Sequence, residues 1–187
     1  MIAWIPISLI ILFLFWMIVI YNSLVALKNE VNNAWKQIDV QLKRRHDLIP
    51  NLVNVVKGYM QYERDTLEKV VSARARAVAA TYLSEKAAAE NVLTQALGRL
   101  FAVIENYPVL KSNVNVLELQ EELTSTENKI SFSRQFYNDL VANYTTKLEI
   151  FPNTLIASLF DFRKEEFFLA EKDDMRVPPA TIQRDAG

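Results

Sequence analysis

The chain opens on an unbroken apolar run and then turns periodic. From Ile2 to Ile20 the only polar side chain is Ser8, and there is no charge. A helix of this length covers roughly 30 Å, the thickness of a bilayer's hydrocarbon core. Its Ile, Leu, Val and Phe residues favour insertion by very roughly 4 to 8 kcal/mol before backbone terms. Pro6 falls in the first turns, where a missing N–H costs little. A cleaved signal peptide would need a basic start, a shorter apolar run and a small-x-small exit. Met1-Ile2-Ala3 carries no base, and Tyr21-Asn22-Ser23-Leu24-Val25-Ala26 offers no such exit. Residues 1–21 therefore read as a membrane anchor.

Past the anchor the apolar positions are Leu24, Leu27, Val31, Trp35, Ile38, Leu42, Ile49, Leu52 and Val56, in helical steps with one gap where Arg45 sits on the apolar face. Pro50 withholds a hydrogen bond from the His46 carbonyl and predicts a kink. Lys57-Gly58 predicts a stop, with Gly58 able to take the left-handed conformation and a turn through Met60. A second helix is expected over about 61–82, with Leu67, Val70, Val71, Ala77 and Val78 as its apolar face. Ser84 is expected to cap a third, over about 85–105, carrying Val92, Ala96, Leu100, Val103 and Ile104. Asn106-Tyr107-Pro108 ends it, and a loop follows through Asn113. In the fourth helix, about 115–150, Val116, Leu123, Ile130, Tyr137, Tyr144 and Phe151 recur every seven residues, flanked by Leu119, Val141 and Leu148. That spacing implies coiled-coil-like packing, and Pro152 stops the helix.

Two long helices of about 36 residues and two short ones of about 21 suit one assembly. The fold class is all-α: an N-terminal transmembrane helix followed by an antiparallel four-helix bundle, long-short-short-long, over residues 22–170, with 171–187 as a disordered tail. Facing residues on the long helices should have numbers summing to about 172. Trp35 then meets Tyr137, and Arg45 lies opposite Glu127. Asp39 falls within one residue of facing Arg134. Asp39, Arg45, Glu127 and Arg134 are thus candidate structural ion pairs that fix the register, because charge on an apolar face is costly unless paired. The alternative is that both arginines snorkel past the core edge.

After Pro152 the chain brings Leu155, Ile156, Leu159, Phe160, Phe162, Phe167 and Phe168 to the membrane end. Either this segment folds back and closes the bundle, or it lies in the interface as a short amphipathic element with Arg163 and Lys164 toward lipid phosphates.

Charge sets orientation rather than partners. Lys28, Lys36, Lys43, Arg44 and Arg45 follow the span, and no Lys or Arg precedes it, so the positive-inside rule places residues 22–187 in the cytoplasm and the N-terminus outside. With 21 basic against 22 acidic residues the net charge is −1, and no global field draws nucleic acid. The local Lys43-Arg44-Arg45 and Arg74/Arg76 spots read as solvated faces. The absence of Cys excludes disulfides, thiolate metal sites and a Cys nucleophile, and glycines at 58, 98 and 187 alone exclude Gly-rich phosphate loops. His46 is the single histidine, so no site can use two imidazoles, and a Ser-His-Asp set would have to sit in mid-helix. Spacing leaves Glu127 with Asp39 open as a carboxylate pair, but ion pairing is the stronger reading. No enzymatic activity, cofactor, metal, small-molecule substrate or nucleic-acid partner is expected.

Two blocks of the chain carry a family resemblance. YNSLVALKNEVNNAWKQIDVQLKRRHDLIPNLVNVVKGY resembles the leading block of the LemA family, bacterial proteins with an N-terminal membrane helix and a cytoplasmic helical bundle. YPVLK, LQEELTSTENKISFSRQFYNDLVANY and FPNTLIASLF resemble its later block. The matching residues are Trp35, Asp39, Arg44, Arg45, Asp47, Pro50, Asn51, Gly58 and Tyr59, then Glu127, Asn128, Arg134, Tyr137, Asn138, Tyr144 and Phe151. Where the family often has Phe-Gly-Phe this chain has Phe160-Asp161-Phe162, which removes the ground for expecting a special backbone conformation at 161. The resemblance implies a bacterial inner-membrane protein without a defined chemistry. Two roles follow: a structural scaffold that holds protein partners or self-assembles at the bilayer, or an accessory subunit of a membrane protease or envelope-stress system.

Overall fold

The computed structural model describes residues 4–60 and 62–168, which are mostly helical, with no strand among them and a non-helical segment from 162 to 168. The expected tail over 171–187 lies outside the described residues. The helices are α1 (Trp4–Lys57), α2 (Arg64–Ala79), α3 (Leu83–Ile104), α4 (Pro108–Lys111), α5 (Val114–Glu149) and α6 (Asn153–Leu159).

The apolar run and the first long amphipathic helix are one element. α1 runs unbroken for 54 residues, and its N-terminal part is long and apolar enough to cross a membrane. Ile7, Leu9, Leu12, Phe15 and Ile18 stand exposed there, Leu12 at 66 %. Water does not tolerate so large a contiguous apolar surface, whereas hydrocarbon does. Pro50 lies inside the helix and does not end it. The stop comes after Lys57, where Tyr59 and Met60 both donate to the Val56 carbonyl. Gly58 does not take the left-handed conformation; among the described residues the single positive φ belongs to Asp161, at 53°.

Above the span α1 packs mainly on α5, and α2 mainly on α3. Trp35 meets Tyr137 edge-on with ring centroids 5.9 Å apart. Val31 and Val141, and Leu42 and Ile130, belong to a lower core that also holds Tyr144 and Phe168. Ile49 with Leu123 and Val56 with Val116 belong to an upper core completed by α2 and α3.

Several boundaries and faces differ from the sequence expectation. The short helices bury narrower stripes: Leu67, Val70, Ala73 and Ala77 on α2, and Ala87, Glu90, Leu93, Leu97, Leu100 and Ile104 on α3. Val71, Val78 and Val92 are exposed, because α2 packs chiefly on one neighbour and needs only one ridge of small side chains. Ser84 is one residue inside α3; Tyr82 holds the N-cap position without a side-chain bond. The expected loop before α5 contains α4, with Pro108 in its first turn. Asn113 caps α5, its Oδ1 accepting from the Asn115 and Val116 N–H groups. Phe151 leaves the heptad stripe and is 78 % exposed, because α5 ends at Glu149 and the chain turns at Pro152 into α6.

Candidate functional site

Between the two apolar cores lies a knot of charge. Arg45, on the inner face of α1, is 1 % exposed, and Glu90, facing it from α3, is fully buried. Arg45 Nη1 is 2.8 Å from Glu127 Oε2 and 3.4 Å from Glu90 Oε2. Its Nη2 donates to Thr94 Oγ1 at 2.7 Å. The second Glu90 oxygen lies 2.7 Å from His46 Nε2. Thr94 Oγ1 in turn reaches Glu127 Oε1 at 3.3 Å. One cation thus ties α1, α3 and α5 together, and both oxygens of Glu90 are occupied by neighbouring side chains. Such a centre fixes register more than it adds stability, since desolvation offsets much of its Coulomb energy.

The remaining polar residues are distributed differently from expectation. Asp39 does not pair with Arg134; it takes Lys86 of α3 at 2.9 Å, and that ammonium also lies 5.2 Å from the Trp35 ring centre. The lysine reaches Asp39 from outside the α1/α5 seam, whereas Arg134 turns inward and lays its guanidinium 4.5 Å over the Phe168 ring. Burial holds Arg134 below its ordinary pKa, with Arg45 adding to the effect and Glu127 and Glu90 opposing it. Among the described residues its buried Nε and Nη2 have no hydrogen-bonding acceptor. Arg74, expected on a solvated face, is half-buried and donates from Nε to the His46 carbonyl at 2.6 Å.

The segment after α6 divides the expected membrane contacts. Ile156 and Phe168 are buried in the lower core, and Phe162 is half-buried against it. Phe168 is removed from any lipid surface by a two-point clamp: Asn138 Nδ2 donates to its carbonyl at 3.0 Å, and Asn138 Oδ1 accepts from its N–H at 2.9 Å. Trp35 flanks its ring, and Tyr137 donates from its hydroxyl to the Glu166 carbonyl at 2.9 Å. Burial, then the charges of Glu165 and Glu166, push the Tyr137 hydroxyl up to about 12. Leu155, Leu159, Phe160 and Phe167 stay exposed.

Sequence reasoning missed Glu90, Thr94 and Lys86. A signal was present: Ala87, Glu90, Leu93 and Leu97 recur in steps of three and four, with Thr94 four residues after Glu90, which puts the glutamate inside a core stripe. Within the knot the Glu90 carboxylate is fully enclosed, while the Glu127 side chain is partly exposed. Among the described residues no three His, Asp or Glu side chains are grouped to hold a metal. Two open grooves lie elsewhere, one along α5 lined by Leu117, Glu121, Asn128 and Phe132, another beside Met60, Tyr62 and Leu67.

The family model of the LemA family matches residues 34–182. Similar curated proteins include Protein LemA of Metamycoplasma hominis, 24 % identical over 153 residues that cover 81 % of this chain and 69 % of that protein. Magnetosome protein MamQ 2 of Paramagnetospirillum magneticum is 24 % identical over 189 residues, covering 87 % and 69 %. Magnetosome protein MamQ of Magnetospirillum gryphiswaldense is 22 % identical over 174 residues, covering 79 % and 64 %.

Proposed function

This chain belongs to the LemA family, and from that premise we propose that it is a single-pass scaffold of the bacterial inner membrane, without catalytic activity. Its body is an antiparallel four-helix bundle, long-short-short-long, standing in the cytoplasm, with the N-terminus outside. The observation that carries this reading is the continuity of α1, which leads the apolar span into the body as one helix roughly 80 Å long. A rigid post of that kind suits holding partners at a set distance from the bilayer. Support also comes from the knot, where Arg45 pairs with Glu90 and Glu127 and His46 meets Glu90, and from relatives whose names carry no enzymatic activity. Lys28, Lys36, Lys43 and Arg44 just past the span support the cytoplasmic placement.

Size in mild detergent tests it. A scaffold gives a large homo-oligomer or a multi-protein assembly at native mass. A small species carrying one membrane protease or stress-response subunit in pull-down from the source membrane would instead assign the accessory role. Orientation is tested by protease: added outside spheroplasts it should leave the body whole, and added to inverted vesicles it should digest it.

A further inference from the structure

α6 has two faces of opposite destiny. Ile156 and Ala157 are buried in the lower core with Leu24 and Leu148. On the other side Leu155 and Leu159, one helical turn apart, are 58 % and 66 % exposed. Ile150 and Phe151 in the preceding turn, and Phe160 at the end of α6, extend the same exposed apolar surface.

The height of this surface along α1 is fixed by two contacts. Tyr21, at the end of the apolar run, packs its ring on Phe160 at 4.8 Å and on Phe162 at 5.6 Å between centroids. Met17 and Ile20, inside the run, are partly buried against the lower core. The base of the body therefore reaches about one helical turn below Tyr21, into the depth where the span itself is apolar. An apolar face at that depth, packed beside the helix that carries the span, has the bilayer as its neighbour.

Charge argues for the kind of contact. Arg163 is paired with Asp161 at 3.1 Å, Lys164 is paired with Glu149, and Glu165 and Glu166 follow in sequence. The two cations expected to reach lipid phosphates are thus each matched by a carboxylate, and with Glu165 and Glu166 beside them the segment carries no excess positive charge.

We infer that α6 and its flanking turn form a second membrane contact, an apolar collar seated at the headgroup–acyl boundary beside the span, which recognises hydrocarbon rather than anionic headgroups. The inference rests on the membrane-anchored reading of α1. Leu155, Leu159 and Phe160 insert, while Ile156 and Phe168 keep the collar attached to the core.

The lack of native cysteine makes the test direct. Leu155→Cys, Leu159→Cys, Phe13→Cys in the span and Tyr62→Cys at the far end are labelled singly with an environment-sensitive fluorophore. The full chain is then placed in phosphatidylcholine vesicles carrying lipid-borne quenchers, with and without phosphatidylglycerol. Strong quenching at 155 and 159, comparable with 13 and absent at 62, is the expected result, unchanged by phosphatidylglycerol. Quenching at 13 with 155 and 159 as silent as 62 overturns the collar and leaves the anchor standing; silence at 13 as well overturns both. Silence at 155 and 159 toward lipid and aqueous quenchers alike would show a protein surface covering them, a second copy or a partner, and also overturns the inference. Quenching that appears only with phosphatidylglycerol overturns its charge-independent form. Far-ultraviolet circular dichroism of each labelled variant, equal to that of the parent, verifies that the fold is intact.

Discussion

Arg74 Nε donates to the carbonyl oxygen of His46 at 2.6 Å, the carbonyl that Pro50 leaves without its helical N–H. An arginine from α2 thus completes the hydrogen bonding of α1 across the helix pair, and α1 passes through its proline without ending.

That substitution of one donor for another can be measured. Arg74→Ala should cost about 1 to 2 kcal/mol, because it strands a part-buried carbonyl. In a Pro50→Ala background the backbone N–H restored at position 50 can take the carbonyl, and Arg74→Ala should cost less than half as much. Denaturant unfolding of the four proteins in detergent closes the cycle. Equal costs in both backgrounds would show that Arg74 acts by packing instead.

The charge knot predicts strong coupling. Removing Arg45 leaves Glu90 a fully buried carboxylate beside His46 and should cost about 3 to 5 kcal/mol, whereas removing Glu90 should cost less, because Glu127 still faces Arg45 at 2.8 Å. Arg45→Leu combined with Glu90→Leu should cost well under the sum of the two single losses. Additive losses in thermal unfolding would mean that the two side chains do not share one low-dielectric site. Asp39→Ala, which breaks only a partly exposed pair with Lys86, should cost no more than about 1 kcal/mol.

Two tyrosines on one stripe should respond oppositely to loss of their hydroxyls. Tyr137 donates to the Glu166 carbonyl, so Tyr137→Phe should cost about 1 kcal/mol and loosen the segment that carries Phe168. Among the described residues the buried Tyr144 hydroxyl has no hydrogen-bond partner, and Tyr144→Phe should be neutral or stabilising. Alkaline pH adds a second readout. The folded state holds the Tyr137 proton up to about 12, whereas an unfolded tyrosine releases it near 10. The contribution is therefore complete below about pH 10 and is lost as pH climbs toward 12. Burial also raises Tyr144, so Tyr137→Phe should flatten this alkaline loss of stability without abolishing it. An unchanged pH profile would contradict the buried setting of Tyr137.

Asp161 holds a left-handed backbone, φ 53°, between Phe160 and Phe162. Asp161→Gly should be neutral or stabilising, and Asp161→Val should cost about 1 to 2 kcal/mol, since a β-branched side chain meets the following carbonyl there. If both variants melt with the parent, the conformation is not held in solution.

The long helices were legible in the sequence because a seven-residue stripe from Val116 to Tyr144 leaves one way to bury five large side chains. The short ones were less so. On α3, Val92 and Leu93 offer two overlapping stripes of similar apolarity, and the choice falls to the neighbours, Arg45 among them, which demand that Glu90 face inward. Asp39 and Arg134 were matched by level along the two long helices, but level fixes neither rotamer nor the reach of a lysine from a third helix. The extended segment before Phe168 has no periodicity at all. What places it is the side-chain amide of Asn138 pairing with backbone, an interaction without a sequence signature. The left-handed turn was hidden for a related reason, because the residue there is aspartate and glycine is the usual marker.

The unbroken α1 has a mechanical consequence. A jointed anchor would let the body keep its attitude while the span leaned, but a helix continuous from Trp4 to Lys57 transmits every lean to the far end. Hydrophobic mismatch changes the tilt of a span by several degrees between thin and thick bilayers. Over the roughly 54 Å that α1 extends beyond Tyr21, a lean of about 10° carries Lys57 sideways by about 9 Å. On the membrane-anchored reading, the position of the far end of the body therefore follows from the tilt of the span at its foot.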